Sequence, residues 1–142
     1  MSDKFFLDTN ILIYSFDSTS PDKQRVAQNL IGAALGTSGG CISYQVIQEY
    51  LNVATQKFQT PLTINDCKNY LTKVLEPLCE TFPSVELFHA ALEIKEGWHY
   101  SFYDSLIVSA ALMANCTILY SEDLQHEQHI KNLQILNPFV LF

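Results

Sequence analysis

The chain has 142 residues, 48% of them hydrophobic and 16% charged, a composition that supports a buried core and excludes an intrinsically disordered chain. Its formal net charge is -7 at pH 7, and its 8 Lys and Arg residues are scattered along the sequence. This acidic balance argues against a polyanionic ligand unless bound cations or a basic partner supply positive charge.

The first half of the chain alternates strand and helix patterns. An apolar run that is too short for a helix predicts a strand at 5–7, buried on both faces as in a parallel sheet. Turn residues, caps and apolar periodicity then predict, in order, a helix from Pro21 to about Gly36, a turn at Gly39-Gly40, a strand at 41–43 and a helix to about Lys57. This order is typical of an α/β domain.

The second half contains more helix than strand. The predicted elements are a helix from Thr63 to Pro77, a helix from Ser84 to Gly97, an apolar helix from Ser101 to Met113, a strand at 116–120 and a short strand at 134–136. We expect the first two of these helices to pack as a pair beside the sheet. The longest apolar stretch, at 106–114, is too short to span a bilayer. We therefore expect a single cytoplasmic domain covering residues 1–142.

Four acidic residues have positions that bring them towards one edge of this sheet. Asp8 follows the first strand, Asp123 follows the strand at 116–120, and Glu49 and Asp104 lie in early turns of two helices. Right-handed crossovers place helix N-termini at the same edge as strand C-termini, so the four side chains can converge there. Mg²⁺ and Mn²⁺ prefer such oxygen ligands and activate water for attack on phosphorus. The sequence therefore predicts metal-dependent chemistry on a phosphate ester.

Each acidic residue also has a purely structural explanation. Asp8 could terminate the strand and cap the segment that follows, and Asp104 could belong to a helix cap. Glu49 could be one more solvated residue on a polar helix face. Glu122 and Asp123 compete for one role, because turns after strands are often acidic. Taken singly, each residue favours the structural explanation, and only their joint placement favours a site.

The ordered motifs resemble those of PIN-domain ribonucleases. They read Phe-Leu-Asp-Thr-Asn at 6–10, Gln-Glu-Tyr at 48–50, Tyr-Asp-Ser-Leu-Ile at 103–107, Tyr-Ser-Glu-Asp-Leu at 120–124 and Ile-Leu-Asn-Pro-Phe at 135–139. Within that family the greatest likeness is to the VapC-type toxins of bacterial toxin–antitoxin pairs. The resemblance implies an α/β, PIN-like three-layer fold, with a central, mainly parallel sheet flanked by helices. It also implies that acidic residues hold Mg²⁺ or Mn²⁺ and cleave RNA.

Carried over by motif, the catalytic and metal-binding residues are Asp8, Glu49, Asp104 and Asp123, with Thr9, Asn10, Ser121 and Glu122 in support. The implied partners are an RNA substrate, a cognate antitoxin and a second copy of the chain in a homodimer, with no membrane. Two alternatives stay open. One is a non-catalytic PIN-fold module that binds partners through an apolar surface. The other is a haloacid-dehalogenase-like phosphatase, which needs a second Asp at position 10, where this chain has Asn.

Overall fold

A computed structural model describes residues 3–37, 39–58 and 60–140, apart from the side chain of Thr37. Its elements, in chain order, are β1 (Phe5–Leu7), α1 (Thr9–Tyr14), α2 (Pro21–Thr37), β2 (Gly40–Ser43), α3 (Tyr44–Gln56), α4 (Ile64–Tyr70), α5 (Glu76–Leu78), β3 (Cys79–Thr81), α6 (Val85–Trp98), α7 (Phe102–Met113), β4 (Ile118–Tyr120), β5 (His129–Ile130) and β6 (Leu133–Leu136). A π-helical turn, Leu71–Leu75, joins α4 to α5, and a 3-10 turn, Pro138–Val140, follows β6.

The strands form one sheet in the order β3-β2-β1-β4-β6-β5, parallel throughout except where β5 pairs with β6. All residues of β2 are buried, which requires that helices cover both faces of the sheet. In the centre, Leu7 of β1 lies opposite Tyr120 of β4. The two strands therefore end level with each other, and the residues that follow them leave the sheet side by side.

The predicted α/β fold with a mainly parallel central sheet is confirmed. Two strands, β3 and β5, were not predicted. Unlike β1, which is an apolar run, β3 reads Cys-Glu-Thr and β5 reads His-Ile, so neither shows a strand pattern, and both form by pairing with a neighbouring strand. None of the helices in the described ranges combines the length and apolarity needed to cross a bilayer.

Two predictions about the helices were wrong. The helix expected to stop at Pro77 ends one residue later, at Leu78, where Pro77 lies in the first turn of the short α5 that follows the π-helical turn, a position at which proline is tolerated. The helices at 64–78 and 85–98 were also expected to pack against each other, but they do not form a main contact. Instead, α6 packs chiefly on α7, and α4 packs on α3.

Gly40 lies where α2 crosses the start of β2, so we expect it to be sensitive to added volume. A Cβ atom there would lie 2.3 Å from the Cβ of Ala34 and 2.7 Å from the Cε2 of Phe5. The Gly40→Ala variant should therefore lose about 1–3 kcal/mol of unfolding free energy in urea denaturation. Gly32→Ala is the matched control, because nothing lies within 4 Å of its added Cβ. Equal stability of Gly40→Ala and wild type would contradict this packing.

Candidate active site

A cavity of about 320 Å³ opens where β1 and β4 end. Its lining residues are Asp8, Thr9, Asn10, Ile13, Gln45, Glu49, Asn52, Val53, Tyr103, Asp104, Ile107 and Asp123. All four acidic residues of the predicted site are among them. The lining residues include no lysine, arginine or histidine within the described ranges. The cavity therefore concentrates carboxylates without a basic counter-charge.

The topology of the sheet explains how four distant residues reach one cavity. Asp8 directly follows β1, and its N–H donates to the carbonyl oxygen of Tyr120, at the end of β4, over 3.0 Å. Because α3 begins directly after β2, Glu49 lies in the second turn of that helix. Asp104 lies in the first turn of α7. The C-terminal ends of adjacent parallel strands and the N-termini of the helices thus meet at one edge.

Asp8 is the most buried of the four carboxylates, with 9% of its surface exposed. Its Oδ1 accepts the N–H of Thr9 at 2.7 Å, and its Oδ2 accepts the hydroxyl of Ser121 at 2.9 Å. The pKa of Asp8 is raised to about 6, chiefly because the loss of water on burial outweighs these hydrogen bonds, with a smaller contribution from the charges of Glu49 and Asp123. Asp8 also occupies the N-cap position of α1, so the same residue both caps a helix and lines the cavity.

Neutral side chains orient two of the other carboxylates. The hydroxyl of Thr9 donates to Glu49 Oε1 at 2.5 Å, and Gln45 Nε2 lies 3.3 Å from Glu49 Oε2. The amide of Asn10 donates to Asp123 Oδ2 at 2.8 Å. The three consecutive residues that follow β1 therefore all serve the cavity: Asp8 supplies a carboxylate, and Thr9 and Asn10 donate hydrogen bonds to two others. These donors fix the acidic groups without neutralising them, as a cation-binding site requires.

Asp104 combines a capping role with a position in the cavity. Its backbone N–H donates to the hydroxyl of Ser101 at 3.1 Å, which is the N-cap bond of α7. Its side chain lines the cavity with the other three acids. The structural explanation accounts for the backbone of Asp104 and leaves its carboxylate available to the site.

Glu122 points away from this cavity. Its Oε1 accepts the hydroxyl of Tyr14 at 2.8 Å, and its Oε2 forms an ion pair with Lys23 Nζ at 2.6 Å. The ammonium group of Lys23 also lies 4.6 Å from the ring centre of Tyr14 and 5.4 Å from that of Phe139. Of the two competing acids, only Asp123 lines the cavity.

The donor set of the cavity fits a hydrated Mg²⁺ or Mn²⁺ ion. Carboxylate oxygens suit these hard cations, and no softer ligand lies among the lining residues that the structure describes. In the same part of the chain, no three His, Cys, Asp or Glu side chains are grouped closely enough to hold an ion by themselves. Mg²⁺ does not need three, because it usually keeps several waters and binds one or two carboxylates plus substrate phosphates.

Three polar lining residues, Gln45, Asn52 and Tyr103, were not predicted as part of the site. Gln45 and Asn52 lie on the polar face of α3 beside Glu49, so their helical spacing already carried that signal. Tyr103 lies in the helix predicted to be apolar, yet it is 66% exposed. Its backbone carbonyl oxygen lies 3.3 Å from Gln45 Nε2, so Gln45 connects α7 to α3 at the cavity.

Comparison with known structures gives fold likeness over most of the chain. A toxin–antitoxin complex from Klebsiella pneumoniae matches with a TM-score of 0.70 and 16% identity, covering 95% of this chain and 98% of that one. VapBC2 from Rickettsia felis, bound to a DNA fragment from its promoter, matches at 0.60 and 21%, covering 92% and 96%. VapC20 from Mycobacterium tuberculosis, a Sarcin-Ricin loop cleaving toxin, matches at 0.57 and 16%, covering 84% and 90%.

Sequence comparison with curated proteins gives no significant match. The family described as PIN domain, in contrast, matches residues 5–131. This range contains every residue of the predicted site and all but one strand of the sheet. On this match, the chain belongs to the PIN domain family.

Proposed function

We propose that the protein is a metal-dependent endoribonuclease that hydrolyses RNA phosphodiester bonds, and that it is the toxin of a toxin–antitoxin pair. The observation that carries the proposal is the cavity in which Asp8, Glu49, Asp104 and Asp123 meet at the carboxyl edge of the sheet. Membership of the PIN domain family supports nuclease activity. The toxin role is supported by fold likeness to chains from toxin–antitoxin complexes.

In this mechanism, Asp8, Glu49, Asp104 and Asp123 supply the oxygen ligands for Mg²⁺ or Mn²⁺. When bound, such an ion supplies an activated water and offsets charge on the phosphate. The pKa of Asp8, about 6, keeps this carboxylate mainly ionised at neutral pH although it is buried. Ser121 and the backbone of Thr9 hold it in one orientation.

Because the chain is acidic, binding of RNA at the cavity needs a cation to offset the negative charge. An RNA backbone would approach four carboxylates in a protein whose net charge is already -7. Like charges repel, and the lining residues that the structure describes provide no basic side chain to offset this. We therefore expect RNA binding at the cavity to require a divalent cation and to follow its concentration.

The partners belong to the same proposal. A cognate antitoxin is supported by likeness to chains that were solved as toxin–antitoxin complexes. A homodimer and a cytoplasmic location follow from the resemblance to VapC-type toxins. A DNA-binding protein encoded immediately upstream would support the pairing, and light scattering of the free protein would give its oligomeric state.

A cleavage assay tests the proposed activity. Protein purified free of partner is incubated with structured and unstructured RNA in the presence of Mn²⁺, Mg²⁺ or chelator. Cleavage should appear with either ion, stop with chelator and return when Mn²⁺ is added back. Intact RNA under every condition would contradict nuclease activity and favour the non-catalytic module. That module predicts unchanged partner binding when all four acids are neutralised, whereas membership of the PIN domain family already rules out the phosphatase alternative.

A further inference from the structure

Two cysteine thiols meet inside the protein, towards the amino-terminal edge of the sheet and away from the carboxylate cavity. Cys41 lies near the start of β2, and Cys116 lies in the turn between α7 and β4, both as free thiols. Their Sγ atoms are 3.4 Å apart, although the two residues are 75 positions apart in the sequence. A disulfide bond has a length of about 2.0 Å, so the two sulfurs need to approach by about 1.4 Å to form one.

The backbone of the folded chain fixes both cysteines. Cys41 belongs to a fully buried strand, and α7 packs against that strand. The N–H of Cys116 donates to the carbonyl oxygen of Ala111 at 3.0 Å, where α7 ends. The N–H of Thr117 donates to the carbonyl oxygen of Lys4 at 2.9 Å, beside β1. The short distance between the two thiols therefore follows from the packing of α7, β1 and β2.

The two thiols differ in acidity. The pKa of Cys116 lies below that of an ordinary thiol, first because Cys41 donates a hydrogen bond to its sulfur and further because the ammonium group of Lys4 is near. Burial and the carboxylate of Glu80 oppose this effect without cancelling it. The same hydrogen bond, together with burial, raises the pKa of Cys41. Because the thiolate is the reactive form of cysteine, Cys116 reacts first and Cys41 is its proton-bearing neighbour.

Cys116 lies directly beneath the surface. Only 3% of Cys116 is exposed, but its neighbours in the sequence, Asn115 and Thr117, are both exposed. A small uncharged oxidant can therefore reach Cys116 through a slight opening of this turn, whereas Cys41 is fully buried and has no contact with solvent. This arrangement is that of a reactive thiol with a resolving thiol next to it.

We propose that Cys41 and Cys116 are a site of reversible oxidation, at which a hydroperoxide converts the two thiols into an intramolecular disulfide. With hydrogen peroxide, the Cys116 thiolate attacks one oxygen and the O–O bond breaks. The departing hydroxide takes up a proton and leaves as water, and Cys116 becomes a sulfenic acid. The sulfur of Cys41 then attacks that of Cys116, and the thiol proton leaves with the hydroxyl group as a second water. The two thiols supply both electrons that reduce the peroxide, and a small dithiol returns them.

The disulfide joins β2 to the turn that leads into β4, across β1, which lies between these strands. It closes a segment of 75 positions, and a crosslink over so long a segment strongly restricts the unfolded chain. Oxidation therefore stabilises the fold. The carboxylate cavity opens at the other edge of the sheet, and its lining residues within the described ranges include no cysteine. This oxidation is therefore independent of the proposed ribonuclease function.

Peptide mapping after peroxide treatment tests the site. Reduced protein is exposed to increasing concentrations of hydrogen peroxide, and the remaining thiols are blocked by alkylation. The digested protein is analysed by mass spectrometry, and Tm is measured on the same samples before digestion. The variants are Cys41→Ala and Cys116→Ala, each of which removes one partner. The matched control is Cys67→Ala, which removes another buried cysteine, on α4.

Wild type and Cys67→Ala should each yield peptides linked through Cys41 and Cys116. Their Tm should rise by several degrees on oxidation and return to its starting value with dithiothreitol. Cys41→Ala should form no link and show no rise, and its Cys116 should instead be oxidised to sulfenic and sulfinic acid. Cys116→Ala should leave Cys41 reduced, because Cys41 has no contact with solvent.

Three outcomes would overturn the site. The first is the absence of a link between Cys41 and Cys116 in wild type at a peroxide concentration that oxidises Cys79, which is partly exposed. The second is a disulfide from Cys41 or Cys116 to any other cysteine, in the same chain or in a second copy. The third is a link that lowers Tm, which would show that the bond forms only in a distorted fold. Wild type and Cys67→Ala decide all three, so the test holds even if a variant that lacks one partner does not fold.

Discussion

Replacing Asp8 by Asn is expected to abolish RNA cleavage while making the metal-free protein more stable at about pH 7.5. The catalytic loss follows from removing a charged ligand at the centre of the cavity, and we expect it to exceed about 1000-fold. The gain in stability follows from the environment of Asp8, whose carboxylate is buried beside Glu49 and Asp123. An amide of the same shape can accept the N–H of Thr9 through its oxygen and donate its own N–H to the hydroxyl oxygen of Ser121, so both contacts can be kept with the second one reversed.

The pH dependence of that gain has a definite sign. Folding raises the pKa of Asp8 from 3.8 to about 6, so between these values the native state binds more protons than the unfolded state. The contribution of Asp8 to stability therefore falls as the pH rises through this window. The variant should gain at most about 3 kcal/mol at neutral pH, and its advantage should shrink towards about pH 4.

Urea denaturation at several pH values without metal measures this difference. The control is Glu93→Gln, which removes a carboxylate from an exposed position on α6 and should show no comparable pH-dependent gain. If Asp8→Asn unfolded at lower urea than wild type at neutral pH, Asp8 would be mainly a cap of α1 and the account of repulsion in the cavity would be wrong.

The second large effect separates two adjacent residues. Asp123→Asn should lower kcat/KM for RNA by at least about 100-fold, because Asp123 lines the cavity and contributes charge there. Glu122→Gln should stay within a few-fold of wild type, because Glu122 is bound to Tyr14 and Lys23 outside the cavity. The partly exposed ion pair is worth less than about 1 kcal/mol, so the loss of stability should be small. The opposite ranking would show that Glu122 is the fourth acid.

The position of the site was predictable because it follows from chain topology. Once β1 was recognised as a buried strand, Asp8 had to leave the sheet at its carboxyl edge, and parallel pairing with β4 had to bring the loop after Tyr120 beside it. Glu49 and Asp104 lie in early turns of α3 and α7, and the starts of these helices lie at the same edge of the sheet. These relations depend on local pattern and handedness, both of which the sequence carries.

The remaining features depend on contacts between distant parts of the chain. Glu122 and Asp123 are adjacent, and residues far away in sequence decide which of them lines the cavity. Lys23 and Tyr14 hold Glu122 outside it, while Asn10 donates to Asp123. The hydroxyl of Ser43 makes no hydrogen bond in the described part of the chain, which is invisible in a sequence, where serine before a helix predicts an ordinary cap. The helical geometry through Pro77 likewise depends on a π turn that propensity does not predict.

The central claim is that a divalent ion binds in the cavity of the four carboxylates, and thermal melting with and without millimolar Mn²⁺ tests it most directly. An ion that binds only the native state adds about 2.7 kcal/mol at a concentration about 100 times its Kd, which for a domain of this size raises Tm by several degrees. Wild type should show this rise, and so should an Asp22→Asn/Glu93→Gln variant, which loses two exposed charges elsewhere. The Asp8→Asn/Asp104→Asn variant should lose most of it. An equal rise in wild type and Asp8→Asn/Asp104→Asn would place the ion elsewhere and contradict the proposed mechanism.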